Sequence, residues 1–260
     1  MVMGLLHSQK LGMANLVNER GFESTPTFFT YTSGEIGPDF VFSERIMRKS
    51  SSYRTAIRNM ADLVRRYTQK DMVISGGETR DFIFSNPVAL NIGLPSCMIY
   101  KDGRIIGAEV EGRNVIHVAD LNNEGSSVRD CWVPAIRKAG GIIEHVFFYV
   151  DRCESDTKIF DDLGIETHAF LPLNDEMWKY LLSIGVTDEE TDRNVRERMK
   201  DKREWARRML RSHKGLDRLA ELAGKNHKEF EKVRKVLNVG YPELREELIC
   251  GLSSRGIVIA

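Results

Sequence analysis

The stretch Val115-Ile-His-Val-Ala-Asp-Leu-Asn-Asn-Glu-Gly-Ser-Ser127 decides the fold. Its first half is a run of apolar, mostly β-branched residues that ends at Asp120, which is typical of a strand buried on both faces. Its second half is small and polar, and the sequence beyond it predicts a helix that Gly140 and Gly141 end. A strand, a loop and a helix in this order predict one unit of a parallel α/β sheet.

The sequence on either side of this stretch repeats the alternation. Further apolar runs predict strands over 71–74, 97–100, 142–150 and 166–171, a hairpin arm over 105–110, and helices over 82–92 and 155–163. We therefore expect an α/β fold in which a parallel sheet is flanked by helices.

The character of the chain changes after Pro172. Residues 188–211 contain seven acids and nine bases in 24 positions with a narrow apolar stripe, which predicts a single charged surface helix. The remaining sequence predicts helices broken at Gly224, Gly240 and Pro242. We divide the chain into an N-terminal segment over 1–70, an α/β core over 71–173 and a helical extension over 174–260.

Composition excludes several classes of function. The 38 Lys and Arg balance 38 Asp and Glu, so the chain lacks the net positive charge of nonspecific nucleic-acid or membrane binders. RNA binding by the Arg-rich helix stays open as a minor alternative. No apolar run reaches the roughly 20 residues of a membrane span. The four cysteines lack the spacing of a metal site, so we expect reduced thiols and no protein-held metal. We therefore expect a cytoplasmic location.

Two histidines and three tryptophans are interpreted as structural residues rather than as functional ones. His117 and His145 fall on predicted strands, where a hydrogen-bonded histidine of the sheet is the favoured interpretation. Trp132, Trp178 and Trp205 fall on predicted helices with apolar neighbours and are assigned to the core.

Two loops have the position of ligand-binding loops. In open α/β sheets ligands bind beyond the carboxyl ends of strands, where free backbone N–H groups meet anions. One loop is Ser75–Arg80, with adjacent glycines and a forked cationic donor, and the other is Asn122–Ser127, which follows Asp120. Either loop alone is a weak signal, because glycine-rich turns are often only tight connections.

Taken in order along the chain, three segments resemble one family. The 115–127 stretch resembles the phosphoribosyl-pyrophosphate (PRPP) motif of type I phosphoribosyltransferases. The hood segment of the orotate phosphoribosyltransferases is resembled by Phe29-Thr-Tyr-Thr-Ser-Gly-Glu-Ile-Gly-Pro-Asp-Phe40. A helix of that family, with the residues that lead into the next strand after its pyrophosphate loop, is resembled by Pro87-Val-Ala-Leu-Asn-Ile-Gly-Leu-Pro95. The resemblance covers about residues 9–172 and implies a type I phosphoribosyltransferase-like domain with an N-terminal hood.

The resemblance also implies roles for individual residues. Asp120 would hold a ribose hydroxyl, and the phosphate would lie in a PRPP-binding set made of Asp120, Asn122, Asn123, Glu124, Gly125, Ser126 and Ser127. The pyrophosphate would lie near Ser75, Gly76, Gly77 and Arg80, and the nitrogen base near Thr32, Ser33 and Gly34. Mg²⁺ would be held mainly by oxygens of PRPP. A homodimer is implied by the resemblance alone.

The sequence departs from the family pattern at four places. Ala119 occupies the position of the first acid of the motif, and Glu124 occupies that of a threonine of the phosphate loop. Thr32 occupies the position of the lysine of the hood. The long mobile loop of the family is reduced to 101–104, where Lys101 and Arg104 are the candidate catalytic cations.

Two hypotheses of function follow. The first is a phosphoribosyltransferase of nucleotide metabolism that joins PRPP to a nitrogen base, with orotate as one candidate, and releases pyrophosphate. The second is a non-catalytic relative that binds a nucleotide, another phosphorylated ligand or a protein partner in a regulatory role.

Overall fold

The computed structural model describes residues 6–154 and 158–259. Its strands are β1 (Phe22–Thr30), β2 (Ile36–Val41), β3 (Val73–Gly77), β4 (Ser96–Ile99), β5 (Ile105–Gly107), β6 (Asn114–Asn122), β7 (Ile142–Asp151) and β8 (Glu166–Pro172). Its α-helices are α1 (His7–Asn18), α2 (Ser50–Arg65), α3 (Phe82–Ile92), α4 (Val133–Lys138), α5 (Lys158–Leu163), α6 (Asp175–Ser183), α7 (Glu189–Lys200), α8 (Lys202–Arg211), α9 (His213–Lys225), α10 (His227–Lys235) and α11 (Arg245–Ser253). Of the helix predicted over 155–163, residues 155–157 lie outside the described residues.

A six-stranded sheet in the order β5-β4-β3-β6-β7-β8 organises the first of two compact units, which comprises residues 1–22 and 41–180. Every neighbouring pair is parallel except β4 and β5, which form the predicted hairpin. The central strands are buried because helices cover both faces of such a sheet. The predicted α/β fold class is confirmed.

Two glycines at the end of β3 allow side chains to pack against its backbone. A Cβ atom at Gly76 would lie 2.1 Å from Ser85 Oγ on α3, and one at Gly77 would lie 2.2 Å from Trp132 Cε2. Both distances are far below van der Waals contact, so only glycine fits at either position. The adjacent glycines are therefore required for packing of the unit itself, a reason that the sequence does not reveal.

The second compact unit comprises residues 23–40 and 181–260. Phe28 and Ile36 of the β1–β2 hairpin share one apolar core with Trp205, Leu219 and Leu237 of the helices. The hairpin therefore groups with the helical extension, and the boundaries of the units do not coincide with the predicted segment boundaries at 70 and 173.

The prediction of a single charged helix over 188–211 is wrong, because two helices, α7 and α8, occupy these residues. Asp201 has an extended backbone, with φ −152° and ψ 98°, and its side chain accepts a hydrogen bond from the backbone N–H of Glu204. It thereby ends α7 and caps α8, since a short acidic side chain satisfies a free N–H group at a helix start. Asn226 separates α9 from α10 in the same way, whereas the predicted break at Gly224 lies inside α9.

The arginines of α8 are paired with acids. Arg203 and Arg207 both contact Glu243 at 3.1 and 3.0 Å, and Arg211 contacts Glu247 at 3.0 Å. These pairs reduce the positive field of the helix surface. Among the residues that the structure describes, no helix combines the length and apolar character needed to cross a membrane.

We predict that Gly77→Ala destabilises the protein. The added methyl group must displace the Trp132 indole, and overpacking of this kind costs about 1–3 kcal/mol in the free energy of unfolding. Gly224→Ala is the control, because its Cβ meets open space within a helix and alanine is favoured there by about 1 kcal/mol. Urea unfolding measures both variants, and equal stabilities would contradict the packing argument.

Candidate functional site

A cavity of about 290 Å³ lies at the carboxyl ends of β3 and β6. Its polar lining consists of Glu78, Thr79, Arg80, Asp81, Lys101, Asp120, Asn122, Asn123, Glu124, Ser126 and Ser127. Its apolar lining consists of Ala119, Leu121, Val128, Trp132 and Phe148. The parallel sheet thus brings the two predicted loops and Lys101 to one place, as expected for adjacent parallel strands.

The carboxylate of Asp81 joins the two loops. Its Oδ1 accepts a hydrogen bond from the backbone N–H of Asp120 at 2.9 Å, and its Oδ2 accepts one from the N–H of Gly77 at 3.0 Å. The buried His117 ring lies behind it, with Nε2 3.5 Å from Asp81 Oδ2 and Nδ1 3.0 Å from Ser75 Oγ. His117 is therefore a buried, hydrogen-bonded histidine of the sheet, as predicted.

Asp120 lies in a nearly closed environment. Ser43 Oγ donates a hydrogen bond of 2.6 Å to Asp120 Oδ2, and Arg80 Nε lies 3.5 Å from the same oxygen. Burial and the neighbouring Asp81 carboxylate raise the pKa of Asp120 to about 7, while Arg80 and Ser43 oppose this shift. Asp120 therefore exchanges its proton near neutral pH.

The loop after β6 is shaped by Asn122. Its side-chain oxygen accepts a hydrogen bond of 2.9 Å from the backbone N–H of Gly125, and its side-chain nitrogen donates one of 3.0 Å to Asp151. Gly125 has φ +73°, a left-handed conformation that favours glycine, and a Cβ there would lie 2.7 Å from Phe160. Glu124 is exposed on this loop and lines the cavity.

Acids outnumber bases around the cavity. Glu78, Asp81, Asp120 and Glu124 face two cations, Arg80 and Lys101. With every group ionised the formal charge is −2. A strongly anionic ligand therefore needs accompanying cations to bind here.

The other residues predicted for the pyrophosphate and for catalysis lie at the margin of this cavity or behind it. Ser75, Gly76 and Gly77 are buried in β3, and it is the following residues, 78–81, that line the cavity. The backbone N–H of Lys101 donates to Glu78 Oε2 at 3.0 Å. The guanidinium of Arg104 lies over the ring of Tyr100, 4.4 Å from its centre, outside the cavity lining.

The residues predicted for the base pocket lie in the second unit, at the tip of the β1–β2 hairpin. Lys235 Nζ donates to the Thr32 carbonyl at 3.3 Å, and Ser33 Oγ accepts from the backbone N–H of Glu35 at 3.3 Å. Gly34 has φ +94°, and a Cβ there would lie 2.7 Å from the Lys235 carbonyl. The hairpin tip is thus held by the helical extension.

Sequence reasoning missed Asp81 and Ser43. Asp81 directly precedes α3, where an acidic residue ordinarily signals a helix cap, but its side chain makes no cap hydrogen bond and accepts from Gly77 and Asp120 instead. No sequence signal marks Ser43, which reaches Asp120 across 77 positions of the chain. Glu44, whose carboxylate lies 3.7 Å from Arg80, was missed for the same reason.

Comparison with known proteins finds curated relatives and several solved structures of similar fold. The chain is 30% identical over 195 residues to an orotate phosphoribosyltransferase of Roseobacter denitrificans, which covers 68% of this chain and 83% of the relative. Its structure resembles UMP synthase of Leishmania donovani, with a TM-score of 0.65 at 19% identity over 75% of this chain and 42% of that one. It also resembles orotate phosphoribosyltransferase of Francisella tularensis, with a TM-score of 0.60 and 18% identity. That match covers 73% of this chain and 98% of the other. No family model matches the chain.

We predict that Asp120 makes stability depend on pH. Its pKa of about 7 in the folded chain exceeds its ordinary value near 4, so between these values the folded chain holds a proton that the unfolded chain has lost. The stabilisation is therefore fully present below about pH 4 and is lost as pH rises towards about 7. The free energy of unfolding in urea, measured at several pH values, gives the slope.

Two variants should change this slope in opposite directions. Asp81→Asn removes the neighbouring negative charge and flattens the decline, because the pKa of Asp120 falls. Arg80→Gln removes the neighbouring cation and makes the decline larger, because the pKa rises. Slopes that match the parent in both variants would contradict the assignment to Asp120.

Proposed function

The chain belongs to the type I phosphoribosyltransferase family, and on this premise we propose that it binds PRPP in the cavity between β3 and β6 and transfers the phosphoribosyl group to a nitrogen base. The curated relative above is named for orotate, which makes orotate the first base to test.

One observation carries the proposal: the loop over 120–127 and the segment over 78–80 line the same cavity as Lys101. A ligand with a phosphate at one end and a pyrophosphate at the other requires two such loops. In the proposed binding mode, Asp120 contacts a ribose hydroxyl, Ser126 and Ser127 contact the 5′-phosphate, and Arg80 lies beside the pyrophosphate. A ribose hydroxyl would take the place of Ser43 on Asp120 or share its oxygen.

The reaction would proceed by displacement at the ribose C1 atom. The bond from C1 to the pyrophosphate oxygen breaks, its electron pair leaves with pyrophosphate, and a lone pair of the base nitrogen forms the new C1–N bond. Positive charge develops on the ribose while negative charge develops on the leaving group. Catalysis therefore rests on positioning and on charge stabilisation, which Arg80 and Lys101 would provide at the pyrophosphate.

Mg²⁺ is part of this proposal. Mg²⁺ takes oxygen ligands, and it binds phosphate substrates with few protein carboxylates. The Glu78 carboxylate, which lines the cavity, supplies an oxygen ligand of that type, and the acidic surroundings favour a ligand that arrives with its cation. Bound there, Mg²⁺ would neutralise charge on the pyrophosphate.

A second candidate function has its own support. Ala119 lines the cavity where the family motif has an acid, and Glu124 lines it where the motif has a threonine. A chain with these two changes would bind a nucleotide or another phosphorylated ligand without turnover and act in regulation. The two candidates share the cavity and differ in whether pyrophosphate is released.

The homodimer and the cytoplasmic location are also proposals. The homodimer rests on the family resemblance. The location rests on the cysteines, since Cys97, Cys131, Cys153 and Cys250 are all free.

We predict that PRPP binds to the purified chain with Mg²⁺ and that adding a base releases pyrophosphate. Calorimetric titration with PRPP, with and without Mg²⁺, measures binding, and a panel of bases that includes orotate tests turnover. Lys101→Ala should slow turnover by about 10²-fold or more, because it removes a cation that would stabilise the negative charge of the departing pyrophosphate in the transition state. Binding without pyrophosphate release from any base would favour the regulatory candidate, and absence of binding would reject the PRPP site.

We predict that Glu124→Thr and Glu124→Gln both strengthen PRPP binding. Two like charges about 4 Å apart cost about 4 kcal/mol at an effective dielectric of 20, and solvent reduces this cost at the exposed Glu124. We therefore expect an increase in affinity of about tenfold, or about 1.4 kcal/mol. Glu109→Gln, an exposed carboxylate outside the cavity lining, is the control. Unchanged affinity in both Glu124 variants would show that this carboxylate does not face the phosphate.

A further inference from the structure

Three side chains with metal-ligand chemistry meet on β7 and β8, away from the cavity. The strand register places His145 opposite Glu166 and Phe147 opposite His168. His145 Nδ1 lies 3.3 Å from His168 Nε2, and the Glu166 carboxylate oxygens lie 3.7 Å from His145 Nδ1 and 3.6 Å from His168 Nε2. One ligand atom from each residue falls within 4.8 Å of the other two.

These separations match those of a tetrahedral metal site. Bonds of about 2.0–2.1 Å at tetrahedral angles place neighbouring ligand atoms about 3.3–3.4 Å apart. The distance between the two histidine nitrogens already has this value, and each nitrogen lies 3.6–3.7 Å from a different oxygen of the exposed Glu166 carboxylate. Three ligands leave a fourth position for water.

The surroundings orient the two imidazoles. The Tyr67 ring packs against His168 at 4.2 Å and against His145 at 5.2 Å between ring centres, and Phe147 stacks on His168 at 4.5 Å. The side chain of His168 is 10% exposed, whereas that of Glu166 is 63% exposed, so an ion has access from the carboxylate side. Burial lowers the pKa of His168, although Glu166 opposes this shift, and a neutral imidazole is the form that binds metal.

We propose that His145, Glu166 and His168 bind one divalent ion of the zinc class, with water as the fourth ligand. Two imidazole nitrogens and one carboxylate oxygen suit Zn²⁺, whereas Mg²⁺ prefers an all-oxygen shell. The ion takes the place of the hydrogen bond between the facing nitrogens of the histidines, and the proton of that bond moves to the other nitrogen of the same ring. It ties β8, the edge strand of the sheet, to β7. The site is independent of the proposed transferase reaction.

The test uses the full chain after treatment with a chelator. Calorimetric titration with Zn²⁺ should give one tight site per chain, and excess Mg²⁺ should not compete. Co²⁺ should give the strong visible absorption of a tetrahedral ion. His168→Asn should weaken Zn²⁺ binding by about 100-fold or more, and Glu166→Gln by about tenfold. His227→Asn, at an exposed position on α10, is the matched control and should leave binding unchanged.

A second readout guards against variants that fail to fold. Zn²⁺ should raise the melting temperature of the parent and of His227→Asn, and should raise that of Glu166→Gln less, since binding to the folded chain stabilises it. Glu166 is exposed, so its variant should retain the fold. Absence of a Zn²⁺ site, binding that survives His168→Asn, or thiolate absorption with Co²⁺ that reports cysteine ligands would each overturn the proposal.

Discussion

The hydrogen bonds of the Asp81 carboxylate are the constraint on which the cavity depends. One oxygen holds the backbone at the end of β3 and the other holds the backbone near the end of β6, so the two loops that follow start from fixed positions. Bonds to a charged acceptor contribute about 1.5–3 kcal/mol each. Burial and the same negative charge raise the pKa of Asp120, so one group both positions the loop and helps Asp120 to keep its proton.

The charge of the cavity separates this chain from a simple phosphate pocket. A pocket that binds phosphate by itself needs an excess of donors and cations, whereas here four carboxylates face Arg80 and Lys101. Arg80 is also engaged by Asp120 at 3.5 Å and by Glu44 at 3.7 Å, and half of its side chain is exposed. Binding of a polyanion must therefore compete with these internal pairs, and a ligand that brings Mg²⁺ relieves the competition.

The sequence predicted the sheet well, because strand and loop signals are local. Strand β6 and its polar loop could be found within 13 residues, although β6 runs two residues beyond its predicted end at Asp120, and parallel pairing then brought that loop beside the segment after β3. Long-range contacts could not be found in this way. The Gly76–Gly77 pair was interpreted as room for an anion, yet Ser85 and Trp132 occupy that space. His145 and His168 are 23 positions apart, and only the strand register brings them together.

The direction of the strands keeps the two proposed metal chemistries apart. Carboxylate oxygens gather at the carboxyl ends of β3 and β6, where a hard cation such as Mg²⁺ is favoured. The imidazoles lie near the amino ends of β7 and β8, and His145 is about 10 Å along β7 from Phe148, which lines the cavity. The two sites share no side chain. Because each ligand set suits a different class of ion, a zinc-class ion at the histidines would leave the carboxylates of the cavity available to a magnesium-bound substrate.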